Sequence, residues 1–505
     1  MSRVPNHNSN ITRRSGAKYS SAVHGGGGGS HGRVAVSLSP ASASFSGPGF
    51  PVTLGPAKMM TGPALSSSGV VSSVPSWSTS TRRTPGSSSC VRAAASFFQE
   101  VEQAPPDPIL GVTEAFKKDS SPDKLNLGVG AYRTENLEPL VLDVVKKAEE
   151  RIMSQNNNKE YLAVEGFAPF REVTARLLLG DDSKALKEKR VVTLQSLSGT
   201  GSLRIGAAFL AKFRAGTTVY ISNPTWGNHF NIFGDAGLET AKYRYFDAKT
   251  IGLDFDGMVE DLSAAPAGSV VILHGCAHNP TGVDPTKEQW KKIAQLCKDK
   301  GLFPFFDVAY QGFASGSLEE DAWAPRHFAD EMGLEIIVSQ SYSKNLGLYG
   351  ERVGALNAVV SSADEVPKVL SQWKRIARAT YSNPPTHGAR IVTEVVGDDA
   401  LFSEWKKEME EMSGRIINVR AALQKALESR MPEKDWTFIT RQIGMFSYTG
   451  MTKEQVEHMW EKWHVYCTKD GRLSLAGLSL SRADYLADAM VDAINTVPAS
   501  PQSKM

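Results

Sequence analysis

Lys344 stands in the stretch SQSYSKNLGLYGER (339–352), directly after the apolar run EIIV (335–338) and among small hydroxyl residues. Lysine is ordinarily a solvated surface residue, because burying an ammonium is costly unless something neutralises it. Here Ser341 and Ser343 precede it and Arg352 follows, all suitable phosphate ligands. A lysine beside such ligands is either an anion contact or an amine that bonds covalently to an aldehyde. Other residues bear on the choice. Asp307 and Tyr310 end the apolar run LFPFF, Asn279 opens Asn-Pro-Thr-Gly after SVVILHG, and Trp226 follows TVYISNPT. A carboxylate could hold a protonated ring nitrogen, a phenol could hydrogen-bond a ring oxygen, and an indole could cover the ring. Together with a phosphate cup and an amine, these are the parts a pyridoxal 5'-phosphate site requires.

Ser198-Gly199-Thr200 lies between an expected strand and an expected helix, where backbone N–H groups can cradle a phosphate. No Gly-Lys-Ser/Thr follows, so this is not a nucleotide P-loop, and Arg204 fills the third glycine position of a dinucleotide fingerprint. His274, Cys276 and His278 alternate at a strand end, but HxCxH is not an established zinc spacing and no fourth ligand suggests itself. No metal is expected.

The elements that must position these residues alternate in type. Strands are expected at 191–197, 218–223, 242–246, 269–275, 302–308, 335–340 and 353–360, with helices at 202–213, 289–300, 401–430 and 483–495. Short continuous apolar runs suit strands buried on both faces of a mostly parallel sheet, and ligands gather at the carboxyl ends of such strands. The fold class is α/β: a large, mostly parallel sheet domain with a smaller α+β domain.

The first 99 residues carry nine Lys or Arg and no acid, leaving 47 basic and 54 acidic groups afterwards, a net charge of −7. That body is not a nucleic-acid binder by charge. Residues 1–95 are rich in Ser, Gly and Pro, with five glycines at 25–29, and read as a disordered transit peptide. Eight prolines before residue 90 disfavour the amphipathic helix of a mitochondrial presequence, so a plastid is the better destination, the mitochondrial matrix being the alternative. Four cysteines, one of them Cys90 in the tail, suit reduced thiols rather than a disulfide framework. No apolar run reaches the ~18 residues of a membrane span.

Ten stretches carry a resemblance: NLGVGAYRT (126–134), KEYLAVEGF (159–167), SGTGSLR (198–204), NPTWGNH (223–229), HGCAHNPTGVDPT (274–286), FFDVAYQGFASG (305–316), SQSYSKNLGLYGERVGA (339–355), RATYSNPPTHGAR (378–390), QIGMFSYTG (442–450) and DGRLSLAGLS (470–479). From about Ala104 onward the chain resembles the aspartate aminotransferases, fold-type I pyridoxal-phosphate enzymes, and the plastid type most. The resemblance implies that Lys344 carries the cofactor and moves the substrate proton. Asp307, backed by His229, would hold the ring nitrogen, Tyr310 and Asn279 the ring oxygen, and Trp226 the ring face. Ser198, Gly199, Thr200, Ser341, Ser343 and Arg352 would enclose the phosphate, joined by Tyr161 from a second subunit. Arg472 would clamp the substrate's α-carboxylate and the second subunit's Arg378 its side-chain carboxylate. Gly130, Trp226, Asn279 and Phe446 would line the substrate pocket.

The implied reaction is reversible, ping-pong amino transfer from L-aspartate to 2-oxoglutarate, giving oxaloacetate and L-glutamate in a homodimer with shared sites. An aromatic or prephenate-type aminotransferase on the same scaffold is the alternative, and a binding protein that has lost catalysis is a rival from another class. Implied boundaries are a tail at 1–95, an N-terminal arm at 96–106, a large cofactor-binding domain at 140–411, and a small domain from 107–139 and 412–505.

Overall fold

The computed structural model describes residues 96–105 and 109–498. The transit-peptide reading of residues 1–95 therefore lies outside the described residues. Within the arm, Phe97, Phe98 and Val101 are exposed.

Seven strands form the central sheet: β1 (Val191–Leu197), β2 (Thr218–Asn223), β3 (Glu239–Arg244), β4 (Val270–His274), β5 (Phe303–Val308), β6 (Ile336–Ser341) and β7 (Val353–Val359). Their spatial order is β1-β7-β6-β5-β4-β2-β3. All neighbours are parallel except β7, which runs antiparallel to both β1 and β6. Every residue of β4, β6 and β7 is buried, including the polar His274, Ser339, Gln340, Ser341 and Asn357.

The register sets the site. His274 pairs with Asp307 and Asp307 with Ser339, so the ends of three adjacent strands lie in one row. On the other side Gly354 pairs with both Ser341 and Ser196. A Cβ at Gly354 would stand 2.4 Å from the Gln340 carbonyl oxygen and 2.8 Å from the Ser198 Cα, so only glycine lets these strands approach.

Helix α1 (Ser198–Phe213) begins four residues earlier than the sequence suggests. Gly and hydroxyl residues read as a loop, yet they form the helix's first turn, entered through Ser198 at φ 59°. The strand expected at 242–246 is displaced to Glu239–Arg244, with Phe246–Asp247 pairing separately. The other expected elements lie within about two residues of their forecast ends.

Helix α2 (Val366–Thr380) packs on the sheet, and helix α3 (Asp399–Arg430) is 32 residues long. The Asp398 carboxylate caps α3, accepting from the Ala400 and Leu401 amides at 3.1 and 2.9 Å. Its first half, through Ile416, packs in a core with Tyr310, Tyr342 and Leu346. Its second half, from Val419, joins a separate core built from Leu125, Leu127 and residues between 431 and 493. In that second region Leu125–Asn126 pairs with Val465–Tyr466, and Phe446–Tyr448 pairs antiparallel with Arg472–Ser474. Cys276, Cys297 and Cys467 are buried free thiols.

Candidate active site

A cavity of about 350 Å³ opens at the carboxyl ends of β1, β4, β5 and β6. Its walls include Gly130, Ser198, Gly199, Thr200, Trp226, Asn279, Asp307, Tyr310, Ser341, Ser343, Lys344, Arg352, Phe446 and Arg472. These are all the expected pocket residues except Tyr161 and Arg378. A larger cavity of about 840 Å³, around Arg176 and Trp323, collects none of them.

One end of the cavity is built for an anion. Ser198 Oγ lies 2.8 Å from both Ser341 Oγ and Ser343 Oγ. The Arg352 guanidinium reaches Ser343 Oγ at 3.4 Å while also donating to the Tyr349 carbonyl at 3.1 Å. The first turn of α1 has neither a side-chain cap nor an acidic residue, so its N–H groups and the positive end of its dipole face the cavity without a protein partner. Hydroxyls, a guanidinium and an uncapped helix terminus together suit a phosphate.

Lys344 Nζ lies 4.9 Å from the centroid of the Tyr349 ring. Burial, then the neighbouring Arg352 and Arg472, bring the amine down to about 8. It therefore spends an appreciable fraction of its time neutral near physiological pH, as a nucleophile or a base must. Burial raises the Tyr310 phenol despite the nearby Arg472, so Tyr310 is a hydrogen-bond donor rather than an anion.

Asp307 is backed by a chain of polar contacts. Its Oδ2 lies 3.3 Å from His229 Nε2, and His229 Nδ1 lies 2.8 Å from Thr225 Oγ1. Thr225 Oγ1 also meets His274 Nε2 at 3.2 Å, and His274 Nδ1 accepts from the Asn279 amide at 3.2 Å. His278 meets Ser222 and Thr281 hydroxyls at 2.9 and 2.8 Å. Each ring nitrogen of His274 and His278 thus has a protein partner, and burial keeps both rings neutral. Among the described residues no group of three His, Cys, Asp or Glu side chains is arranged to hold a metal.

Arg472 closes the opposite end. It is 4% exposed, donates to the Gly128 carbonyl at 2.7 Å and Asn279 Oδ1 at 3.1 Å, and lies 4.3 Å from the Phe446 ring centroid. Its Nε is buried without a partner. An orphaned guanidinium donor at a cavity wall suits a carboxylate ligand.

Two expected residues lie apart. Tyr161 is 88% exposed, and Arg378, in the last turn of α2, is exposed and donates to Ser382 Oγ and to Asn383 Oδ1 at 3.3 Å. They belong to neighbouring segments, because Asn383 donates to the Leu162 carbonyl at 2.6 Å and Lys374 pairs with Glu165 at 2.8 Å. Sequence reasoning passed over Tyr349, which lines the cavity and accepts from the Tyr132 amide at 2.9 Å. Its place five residues after Lys344, within the quoted motif, was the available signal.

Residues 122–490 match the family described as aminotransferase class I and II, and the chain belongs to that family. Among its relatives, an aspartate aminotransferase P2, mitochondrial, from Lupinus angustifolius is 61% identical over 401 residues, 79% of this chain and 88% of that protein. An aspartate aminotransferase, chloroplastic, from Arabidopsis thaliana is 60% identical over 408 residues, covering 81% and 90%. The crystal structure of an aromatic-amino-acid aminotransferase from Burkholderia pseudomallei, covalently bound to pyridoxal phosphate, matches with a TM-score of 0.77 at 44% identity, covering 79% of this chain and all of that one.

Proposed function

We propose that this chain is a pyridoxal-phosphate-dependent aspartate aminotransferase, interconverting L-aspartate and 2-oxoglutarate with oxaloacetate and L-glutamate. The observation that carries the reading is one cavity holding a lysine whose amine is brought down to about 8, a carboxylate at a strand end, an uncapped helix terminus and a buried arginine with a free donor. The residues present fit the cofactor. Ser198, Gly199, Thr200, Ser341, Ser343 and Arg352 would hold its phosphate, Asp307 its ring nitrogen, Tyr310 and Asn279 its ring oxygen, and Trp226 would cover it. When bound, pyridoxal phosphate supplies an aldehyde that condenses with amines and a ring that accepts the electrons released at the substrate's Cα.

The chain's own residues do the rest. Lys344 Nζ would anchor the cofactor through its aldehyde and would serve as the base that takes the substrate's Cα proton. His229 holds the Asp307 carboxylate in place behind the ring. Arg472 binds the α-carboxylate, which every amino-acid substrate shares, and Gly130 and Phe446 shape the surrounding wall. Movement of a small domain, residues 107–139 with 412–505, over a large domain at 140–411 excludes water from the cavity. The core formed by Leu125, Leu127, Val419, Leu423 and residues between 431 and 493 fits the small domain, whereas Tyr132, Met445 and Phe446 pack into the other core beside Tyr310.

Arg378 and Tyr161 serve the site of a second subunit in a homodimer. Support comes from their exposure, and from hydrogen bonds that hold their segments together as one patch. An arginine suits the dicarboxylate's far end because its planar fork binds a carboxylate with two parallel hydrogen bonds. A second reading, an aromatic or prephenate-type aminotransferase, is favoured by the Burkholderia likeness and the aromatic wall of Trp226, Tyr310 and Phe446. Among the described residues no helix is long and apolar enough to cross a membrane. We place the protein in the plastid stroma on the composition of residues 1–95 and the chloroplastic relative, with the mitochondrial matrix as the alternative. Turnover of aspartate, phenylalanine and prephenate by purified residues ~95–505, loaded with pyridoxal phosphate, tests the substrate. Aspartate is expected to give the highest kcat/KM, and a preference for phenylalanine or prephenate would overturn the reading.

A further inference from the structure

Arg420 is 3% exposed in the second half of α3, just past the point where the helix passes from one apolar core to the other. Among the described residues no carboxylate is hydrogen-bonded to it. Its guanidinium donates instead to three backbone carbonyls: Ile439 at 2.7 Å, Gly444 at 2.9 Å and Phe446 at 2.6 Å. A buried cation without a counter-ion is expensive, and an apolar side chain would avoid that cost while packing the same space. The three carbonyls belong to one strap, residues 439–446.

The strap's other face has no slack. The Ile443 amide donates to the Gly282 carbonyl at 2.7 Å. A Cβ at Gly282 would stand 2.7 Å from the Phe446 carbonyl oxygen, and one at Gly444 only 2.5 Å from the Ala277 Cβ. The strap is therefore held between α3 and the loop that carries Asn279. At its end Phe446 does three things. Its ring would stand 2.7 Å from a Cβ at Gly130, lies 4.3 Å from the Arg472 guanidinium, and meets the Tyr310 ring edge-on at 6.2 Å. Phe446–Tyr448 also pairs with Arg472–Ser474, so a shift of the strap carries Arg472 with it.

We infer that Arg420 is a positioning residue that fixes Phe446 and, through it, aims the Arg472 guanidinium at the substrate's α-carboxylate. This rests on the aminotransferase reading above. Because the α-carboxylate is common to all amino donors, loss of Arg420 affects mono- and dicarboxylic donors alike, unlike loss of Arg378.

The test is a double-mutant cycle on the holoenzyme, with Arg420→Met, Phe446→Leu and the double variant. Three quantities are measured: kcat/KM for L-aspartate and L-alanine, the succinate dissociation constant by calorimetry, and Tm. Arg420→Met is expected to lower kcat/KM about 10- to 100-fold for both donors and to weaken succinate binding. In the Phe446→Leu background the same change should add no more than about two-fold. Multiplicative losses in the double variant would overturn the inference. So would a variant whose Tm falls while KM and succinate affinity stay within about two-fold of wild type, because a merely structural role predicts that. If Arg420→Met does not fold, Arg420→Lys keeps the charge but presents one nitrogen to three carbonyls. The same non-multiplicative pattern, at about ten-fold, is then required. Wild type that turns over no amino donor defeats the earlier reading; active wild type with multiplicative losses defeats only this one.

Discussion

Arg472 and Arg378 are both arginines assigned to a substrate carboxylate, yet they occupy opposite environments. Arg472 is buried, fixed by Gly128, Asn279 and Phe446, and complete within the chain. Arg378 is exposed at the end of α2 beside the segment of Tyr161, outside the cavity of its own chain. The difference separates two kinds of recognition. What every substrate shares, the cofactor phosphate and the α-carboxylate, meets groups locked by the fold. On the proposed assignment, what distinguishes one substrate from another is left to a group that a second subunit supplies.

Four results would break or sharpen that contrast. The largest effect belongs to the fixed part. Lys344→Ala should abolish multiple-turnover transamination, with ~10²–10⁴-fold lost from proton transfer alone, and should remove the visible absorption of lysine-bound cofactor. A variant with near-normal turnover would end the assignment. Next, Arg378→Ala removes a charge-assisted contact worth ~1.5–3 kcal/mol, so kcat/KM for aspartate should fall roughly 10- to 150-fold with alanine little changed. Equal losses for both donors would show that Arg378 does not read the side chain.

A smaller but cleaner effect comes from mixing the two impaired proteins and assaying aspartate. If Arg378 serves the partner's cavity, dissociating and reassociating Lys344→Ala with Arg378→Ala restores one intact site in each hybrid dimer. Activity should then recover to about a quarter of wild type at equal mixing. No recovery, despite hybrids detected by native mass spectrometry, would place both residues at one subunit's site.

The smallest effect is on stability. In the folded chain Lys344 is lowered to about 8, below its unfolded value of ~10.4. Below pH 8 the amine is charged in both states and the cost of burying it is carried in full. Between pH 8 and 10 the folded state sheds its proton first. Cofactor-free wild type should therefore gain on Lys344→Met by up to ~1.4 kcal/mol per pH unit over that window. Urea unfolding at pH 7.5 and 9.5 reads this directly, and parallel responses would mean that the lysine is not depressed.

Much of the fixed part was legible in the sequence, for a physical reason. Buried strands such as VVILH and IIVSQS start as apolar runs and turn polar toward their carboxyl ends, so the polar residues mark those ends, and a parallel sheet gathers them in one place. The entry into α1 was misjudged because Ser-Gly-Thr-Gly has loop propensity. The turn is held by the Ser196 and Ser202 hydroxyls, which both donate to the Ser198 carbonyl, contacts that local propensity does not show. Tyr349 escaped notice because its hydroxyl meets a backbone amide 217 residues away. Arg420 looked like any helical arginine, since its partners are carbonyls, which carry no residue-type signal. Tyr161 and Arg378 came from resemblance alone, because nothing in one chain's strand ends points to them.

The 32-residue helix that threads both cores has a mechanical consequence. At 1.5 Å per residue it is a strut of about 48 Å, stiff along its length because every turn is bonded to the next. Tilted about 5° around Arg420, it sweeps its N-terminal end through about 3 Å and its C-terminal end through about 1 Å. Core side chains packed on one half would thus register a rearrangement on the other without any contact between the two ends. Substitutions along the buried stripe from Leu401 to Leu427 should therefore change the leverage between the cores as well as their stability.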